Sequence, residues 1–332
     1  MRLLAVDDDP VILDLLPIIF RQADLTDMVT ADSSASALQI LENQSRPFEC
    51  ILLDIEMPGM TGIELCTKIR QMPQYRHTPI LMLTSVTDNT RIERAFAAGA
   101  DDYITKPFDV KEIATRVRVA QRMTEKSGNA PILDTTKIDQ TLDKGTHDFA
   151  LSDPVRLHHA AQMILPFALG NYLSQLSRTR LDSCTIFAAH IADVDSLFAN
   201  SKPHEFAIAL SETVDSIAEV VNCPNLLMAY EGDGTFLCIL QGAQAPAWPD
   251  IEDQILEVLE ERAPVFDDGR PMNLDVSVGN PVMPNASRNQ RVKKTFDRAR
   301  ARAFSRAMSK EKLRARIARS QAPMRGLPRS LS

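Results

Sequence analysis

"LLAVDDDP", residues 3–10, is an apolar run that ends in three carboxylates and a proline. Four or five apolar residues closed by polar ones read as a buried strand. Asp9 followed by Pro10 reads as the cap and first position of a helix. Working outward, strand-like runs recur at "RLLAV" (2–6), "DMVTA" (27–31), "CILLD" (50–54), "PILMLTS" (79–85) and "DDYITKP" (101–107), with amphipathic stretches of helical length between them. That alternation predicts an α/β domain with a doubly wound, five-stranded parallel sheet covered on both faces by helices. Pro17 falls inside the first helical stretch and is expected to kink it or end it early.

In such a sheet the ligand site lies at the carboxyl ends of the strands, where strand order reverses. Asp7 and Asp8 close the first run, Asp54 the third, Thr84 the fourth and Lys106 the fifth. Clustered carboxylates repel one another unless a hard cation with oxygen ligands, here Mg²⁺, holds them. A carboxylate can also act as a nucleophile toward a phosphoryl group, provided a cation, an ammonium and a hydroxyl neutralise the transferred oxygens. Asp54, Lys106 and Thr84 supply these parts.

At "VDDD", "LLDIEMPGMTGIEL" (52–65), "PILMLTS" and "GADDYITKPF" (99–108) the chain resembles the receiver domain of bacterial two-component response regulators, over residues 1 to about 122. The resemblance implies that Asp54 is the phosphoacceptor. It implies that Asp7, Asp8, Asp54 and the backbone carbonyl of Glu56 hold Mg²⁺, that Thr84 and Lys106 contact the phosphoryl group, and that Tyr103 swings between exposed and buried rotamers. It further implies a cis Lys106–Pro107 bond and a sensor histidine kinase or phosphotransfer protein as partner. The fifth helix, 109–123, sets Val110, Ile113, Val117 and Ala120 on one stripe and Lys111, Arg116, Arg118 and Arg122 elsewhere, so one face suits the core and another a partner.

The 332 residues suffice for two domains, and an apolar share of 44% fills two cores. The expected division is a receiver domain at 1–123, a polar linker at 124–150, a second domain at 151–312 and a basic, disordered tail at 313–332. No apolar run nears the roughly 18–20 residues that span a bilayer, and the N-terminus enters a strand directly, so a cytoplasmic protein without membrane contact is expected. Five cysteines without a C-x-x-C pair read as reduced, buried thiols. His158 and His159 point about 100° apart on a helix and do not easily share a metal. Residues 288–332 hold 15 Lys or Arg against Asp297 and Glu311, within a chain of net charge −7. Such a basic end suits either an acidic partner or a solvated helix.

Beyond the linker, 153–178 shows helical spacing broken near Pro166. There follow "CTIFAAHIADVDSLF" (184–198), a helix pattern at about 203–221, an apolar hairpin around "EGDG" (231–234), a helix near 250–262, "NLDVSVGNPV" (273–282) and a last helix at about 288–319. A strand ending in Asp193 and a hairpin turn containing Asp233 can set two carboxylates side by side, as two metal ions on a nucleoside triphosphate require. With "DP" (153–154), "DVDSLF", "YEGDGTF", "DVSVG" and "FDRARARAFSRA" (296–307), this order resembles the GGDEF domain of diguanylate cyclases, an α+β nucleotide-cyclase-like fold, over about 150–312. The signature is degenerate: Glu231, Gly232, Asp233, Gly234 and Thr235 stand in its place, with no carboxylate in fourth position and a charged Glu231 where the family has glycine. Asn222 and Asn225 stand where the inhibitory product site has Arg and Asp. "GDG" is also similar to the hairpin of class III adenylate cyclases, with Asp193 and Asp233 as metal carboxylates.

The leading reading is therefore a phosphorelay response regulator whose second domain is a catalytically inactive cyclase relative, acting through an unidentified protein target or nucleotide binding. The alternatives are a phosphorylation-regulated cyclase making cyclic di-GMP or cyclic AMP, and a nucleic-acid-binding regulator working through the basic C-terminus, which no helix-turn-helix pattern supports. Nucleotide binding in the second domain and homodimer formation are left open by the sequence.

Overall fold

The computed structural model describes residues 1–321 apart from 24, 86–88, 127–129, 159, 161, 243–249, 286 and 288–289, with backbone only at 89, 123–126 and 318–321. The N-terminal half alternates strictly: β1 (Arg2–Val6), α1 (Pro10–Gln22), β2 (Asp27–Ala31), α2 (Ser34–Asn43), β3 (Cys50–Asp54), α3 (Gly62–Gln71), β4 (Ile80–Thr84), α4 (Asn89–Ala97), β5 (Asp102–Thr105) and α5 (Val110–Lys126). The strands form a parallel sheet in the order β2-β1-β3-β4-β5, so the order reverses between β1 and β3. Side chains alternate across it. Leu3, Ala5, Leu52 and Leu81 face α1 and α5, whereas Leu4, Val6, Ile51 and Met82 join the layer under α2, α3 and α4.

Asp9 caps α1 by accepting from the Val11 backbone N–H at 2.9 Å. Contrary to the expected early end, α1 runs on past Pro17 to Gln22. Leu16, Ile19 and Phe20 are buried in the core, and tertiary packing of that face sustains the last turn where the missing N–H weakens it. The Lys106–Pro107 bond is cis. Of the stripe expected on α5, Ile113, Val117 and Ala120 are buried while Val110 is exposed.

The rest of the chain adds β6 (Ile132–Leu133), β7 (Arg156–Leu157), α6 (Pro166–Gln175), α7 (Arg178–Asp182), β8 (Cys184–Ile191), α8 (Val194–Asn200), α9 (Pro203–Val221), β9 (Leu226–Gly232), β10 (Thr235–Gln241), α10 (Asp250–Arg262), β11 (Val276–Val278) and α11 (Arg291–Gln321). An antiparallel sheet in the order β11-β8-β10-β9 forms its centre, and β6 pairs with β7 in a short parallel ladder.

Three expectations are corrected here. The helical spacing read at 153–165 belongs instead to β7 and a loop, and helix begins only at Pro166, whose fixed φ suits a first position. The segment expected as linker carries β6, and its Leu133 and Phe149 are buried in the second apolar core. The tail expected from 313 is helical through 321, and 322–332 lies outside the described residues. His158 sits exposed in a bend, and His159 lies outside the described residues. All five cysteines are free and buried.

The two halves share one apolar layer: Ile92, Phe96 and Tyr103 of the first pack in the same cluster as Ile164, Leu169 and Tyr172 of the second. Among the described residues no helix is long and apolar enough to cross a membrane.

Candidate functional site

Sheet register brings the acidic residues together. Val6 lies opposite Leu53, so Asp7 and Asp54 leave neighbouring strands at the same level; Asp54 lies opposite Leu83, and Thr84 opposite Thr105, which puts Thr84 and Lys106 on the same edge. Asp7 and Asp54 are buried, at 0% and 4% exposure, and Asp8 is exposed. One oxygen from each of Asp7, Asp8 and Asp54 lies within 4.8 Å of the others. The Lys106 ammonium reaches Asp54 Oδ1 at 2.5 Å and Asp7 Oδ2 at 2.7 Å. Asp54 Oδ2 accepts from the Glu56 backbone N–H at 2.7 Å. Gly62 opens α3 directly beneath: a Cβ there would run into the Asp54 carbonyl oxygen, so only glycine permits this approach.

Burial pushes the Asp54 carboxyl up to about 6, against the pull of Lys106, and the charges of Asp7 and Asp8 add to the rise. Burial works against the Lys106 ammonium, yet its bonds to Asp54 and Asp7 raise its pKa overall. Three carboxylates against one ammonium leave an excess of negative charge in an oxygen-only donor set. That composition suits a hard divalent cation.

Tyr103 is 9% exposed, with its ring edge-on to Phe96 at 6.2 Å; Phe96 in turn meets Tyr172 edge-on at 5.5 Å. Tyr172 donates its hydroxyl hydrogen to Glu93 Oε1 at 2.8 Å, and Arg180 forms an ion pair with the same carboxylate. Asn171 donates to the Asp101 carbonyl at 3.0 Å, while Gln175 hydrogen-bonds Asp102, itself paired with Arg116 at 3.0 Å. None of Phe96, Glu93, Tyr172 or Arg180 was legible as a functional residue, because Glu93 and Arg180 carry only the amphipathic pattern of surface helices.

In the second half the two candidate carboxylates lie just past β8 and in the β9–β10 turn. Ile191 N–H donates to Gly234 O at 2.9 Å, so the end of β8 does meet the β9–β10 turn. Asp193 and Asp233 both take left-handed backbone (φ 51° and 47°), and both are exposed. Asp193 lines a groove with Asp275 and Arg314, an ion pair, whereas the charge of Asp233 is felt at His190, together with that of Asp195. Arg300 Nη1 donates to both carboxylate oxygens of Glu231 at 2.8 Å each; burial still raises the Glu231 pKa. Gly232 leaves no room for a side chain, since a Cβ there would collide with the Ser152 carbonyl, and Asp233 N–H donates to Leu151 O at 2.8 Å. Asn222 caps α9 in left-handed backbone. The basic C-terminal helix works as a strap: Arg291 donates to the carbonyls of Ser174 and Leu176, Arg306 grips buried Glu252, and Lys310 pairs with Asp275 at 2.7 Å.

With this geometry the first half defines a class, an α/β domain whose carboxylate cluster and lysine sit at the switch point of a parallel sheet. Residues 3–118 match the response regulator receiver domain family, and the N-terminal domain is a response regulator receiver domain. The DNA-binding response regulator MtrA of Mycolicibacterium smegmatis is 39% identical over 124 residues, 37% of this chain and 52% of that protein. The chain thus spans about half the length of the curated relatives it matches. Among solved structures, the chemotaxis protein CheY4 of Vibrio cholerae is 31% identical, with 36% of this chain and 97% of that one covered at a TM-score of 0.34. The receiver domain of a Pseudomonas aeruginosa sensor histidine kinase, with magnesium in its active-site cleft, is 25% identical over the same shares, also at 0.34.

Proposed function

We propose that this chain is a response regulator of a phosphorelay that accepts a phosphoryl group on Asp54 and transmits the event to its second domain. The observation that carries the reading is the buried Asp54 carboxylate, bound by Lys106 and set beside Asp7 and Asp8 at the sheet edge. An Asp54 carboxylate oxygen attacks the phosphorus of a donor phosphohistidine. The O–P bond forms as the P–N bond breaks, and the imidazole nitrogen keeps the electron pair and takes a proton. Lys106 turns its ammonium to the transferred oxygens, and Thr84 donates its hydroxyl hydrogen to one of them. Asp7, Asp8, Asp54 and the Glu56 carbonyl would hold Mg²⁺, which supplies neutralising charge to the phosphoryl group.

The donor is a histidine kinase or phosphotransfer protein. Support for a docking surface comes from α1, where Val11, Leu15 and Ile18 form an exposed apolar stripe at i, i+4, i+7 that starts beside the site. Transmission runs through Thr84 and Tyr103 to Phe96 and Tyr172, because a new charge at Asp54 favours a Thr84 and Tyr103 arrangement different from the unphosphorylated one.

We read the second domain as a catalytically inactive, cyclase-like module acting in the cytoplasm through protein contacts. The exposure of Asp193 and Asp233, the Glu231–Arg300 pair and the closed backbone at Gly232 support this over an active cyclase. The many cations of α11 that serve intramolecular pairs support it over nucleic-acid binding. MtrA's named DNA binding is a property of a protein matched over 52% of its length.

The test is to offer full-length protein a small acyl phosphate with Mg²⁺ and follow intact mass. Wild type should gain one phosphoryl group and Asp54→Asn none; full labelling of Asp54→Asn would overturn the reading. In the same samples GTP and ATP should yield no cyclic nucleotide, and a cyclic product would reinstate the cyclase.

A further inference from the structure

A second charged cluster lies at the opposite edge of the receiver sheet, where the α3–β4 and α4–β5 connections meet the second domain. A cavity of about 100 Å³ there adjoins a groove of about 450 Å³, and Arg70, Arg76, Ile132 and Arg156 line both. Arg70 is spoken for: it donates to the carbonyls of Gly99 (2.9 Å), Tyr75 (3.0 Å) and Thr78 (2.6 Å) and pairs with Asp101 at 2.8 Å. Asp101 is spent in turn, since its carboxylate also accepts from Ile80 N–H at 2.9 Å.

Arg156 is different. The β6–β7 ladder holds it in place, with its own N–H donated to Pro131 O at 3.0 Å and that of His158 to Leu133 O at 2.9 Å. Its guanidinium comes close to Arg70: a Cβ on Gly99 would lie 3.0 Å from Arg70 Cγ and 3.1 Å from Arg156 Nη1. Among the described residues no carboxylate or carbonyl pairs with the side chains of Arg156, Arg76 or Arg94; the first two line both the cavity and the groove, and Arg94 lines the groove. Burial lowers the Arg156 pKa, with Arg70 adding to the effect. Burial likewise lowers that of His77, which lies in the field of Arg70, Arg76 and Arg156. Three guanidiniums on one cleft, those of Arg76 and Arg156 half-buried and that of Arg94 exposed, with Asp101 already used by Arg70, suit an anion with several acceptor oxygens. Ile164, Pro166 and Phe167 give the inner cavity an apolar portion beside its arginines, which suits the organic part of such an anion.

We propose that this interdomain cleft binds a phosphate-bearing small molecule, its phosphate oxygens on Arg156, Arg76 and Arg94 and its organic part in the cavity beside Phe167. Arg76 and Arg94 come from the receiver domain and Arg156 from the second, so the ligand braces one against the other. The site is independent of Asp54, which lies about one strand length away at the other edge of the sheet.

The experiment is calorimetric titration of the full-length protein with inorganic pyrophosphate, AMP and GTP, at low and high salt. Saturable binding that weakens with salt is expected, and Arg156→Gln and Arg76→Gln should each weaken it by about tenfold, the loss of one charge-assisted hydrogen bond. Tighter binding of the nucleotides than of pyrophosphate identifies an organic phosphate; equal affinity identifies free phosphate chemistry at the same arginines. Absence of saturable binding by all three probes, or unchanged affinity in both variants, overturns the proposal. Arg76→Gln changes a half-exposed side chain and guards against a folding defect in Arg156→Gln. Asp54→Asn should bind as wild type does, which separates a failure here from a failure of phosphotransfer.

Discussion

Two acidic pairs in this chain look alike on paper and end differently in three dimensions. Asp7 and Asp54 close parallel strands whose register sets them level, and both are buried around one ammonium. Asp193 and Asp233 follow β8 and β9, which β10 separates in the sheet, and each sits one or two residues past its strand, in left-handed backbone and exposed. Strand-end carboxylates therefore make a site only where the register and the loop conformation point them to one volume and the surroundings exclude water. Exclusion of water raises the Asp54 pKa and gives its charge a strong claim on a cation; an exposed carboxylate makes no such claim.

The comparison breaks or sharpens by experiment, beginning with the buried charge that joins the domains. Arg180→Ala leaves Glu93, 3% exposed, without its cation and should cost about 3–5 kcal/mol in urea unfolding. Arg180→Lys should recover part of this. A cost below about 1 kcal/mol would mean that the pair is solvated like a surface one.

Next comes the pH dependence at Asp54. Its carboxyl titrates near 6 in the fold against 3.8 in the unfolded chain, so the folded state holds the proton more tightly. The stabilisation this brings is complete below 3.8 and is lost as pH rises through about 6. In Mg²⁺-free buffer, wild type should therefore lose about 2–3 kcal/mol more than Asp54→Asn between pH 4 and 7.5. Millimolar Mg²⁺ should restore wild-type stability at the upper end. Parallel pH profiles for the two proteins would remove the claim that this carboxylate is strained.

The smallest effect belongs to the other pair. Asp193→Asn and Asp233→Asn should each stay within about 0.5 kcal/mol of wild type, with no change of melting temperature on adding Mn²⁺. A metal-dependent rise lost in either variant would make the two pairs equivalent after all.

The five parallel strands, the Asp9 cap, the cis Lys106–Pro107 bond and the 203–221 and 250–262 helices were legible because local period, capping chemistry and motif resemblance agree. Pro17 does not end α1 early, since the packing of Leu16, Ile19 and Phe20 carries the helix past it. Residues 153–165 misled because apolar spacing in a loop that feeds a core imitates a helix period. The basic C-terminus read as either a solvated helix or a surface for an acidic partner, and Arg300, Arg306 and Lys310 are instead matched to Glu231, Glu252 and Asp275 across long sequence separations that no local pattern reveals.

By itself, then, the sequence determined the receiver domain and the residues at its carboxyl edge, because a short continuous apolar run closed by a polar residue specifies a strand buried on both faces and the edge where its polar end emerges. Only the tertiary structure decided that Glu93, Tyr172 and Arg180 lock the two domains, that Arg156 meets Arg70 in a cleft, and that Asp193 and Asp233 stand exposed. The reason is physical: each of these depends on side chains from distant segments sharing one small, poorly hydrated volume, and charge and burial act on distance in space rather than along the chain.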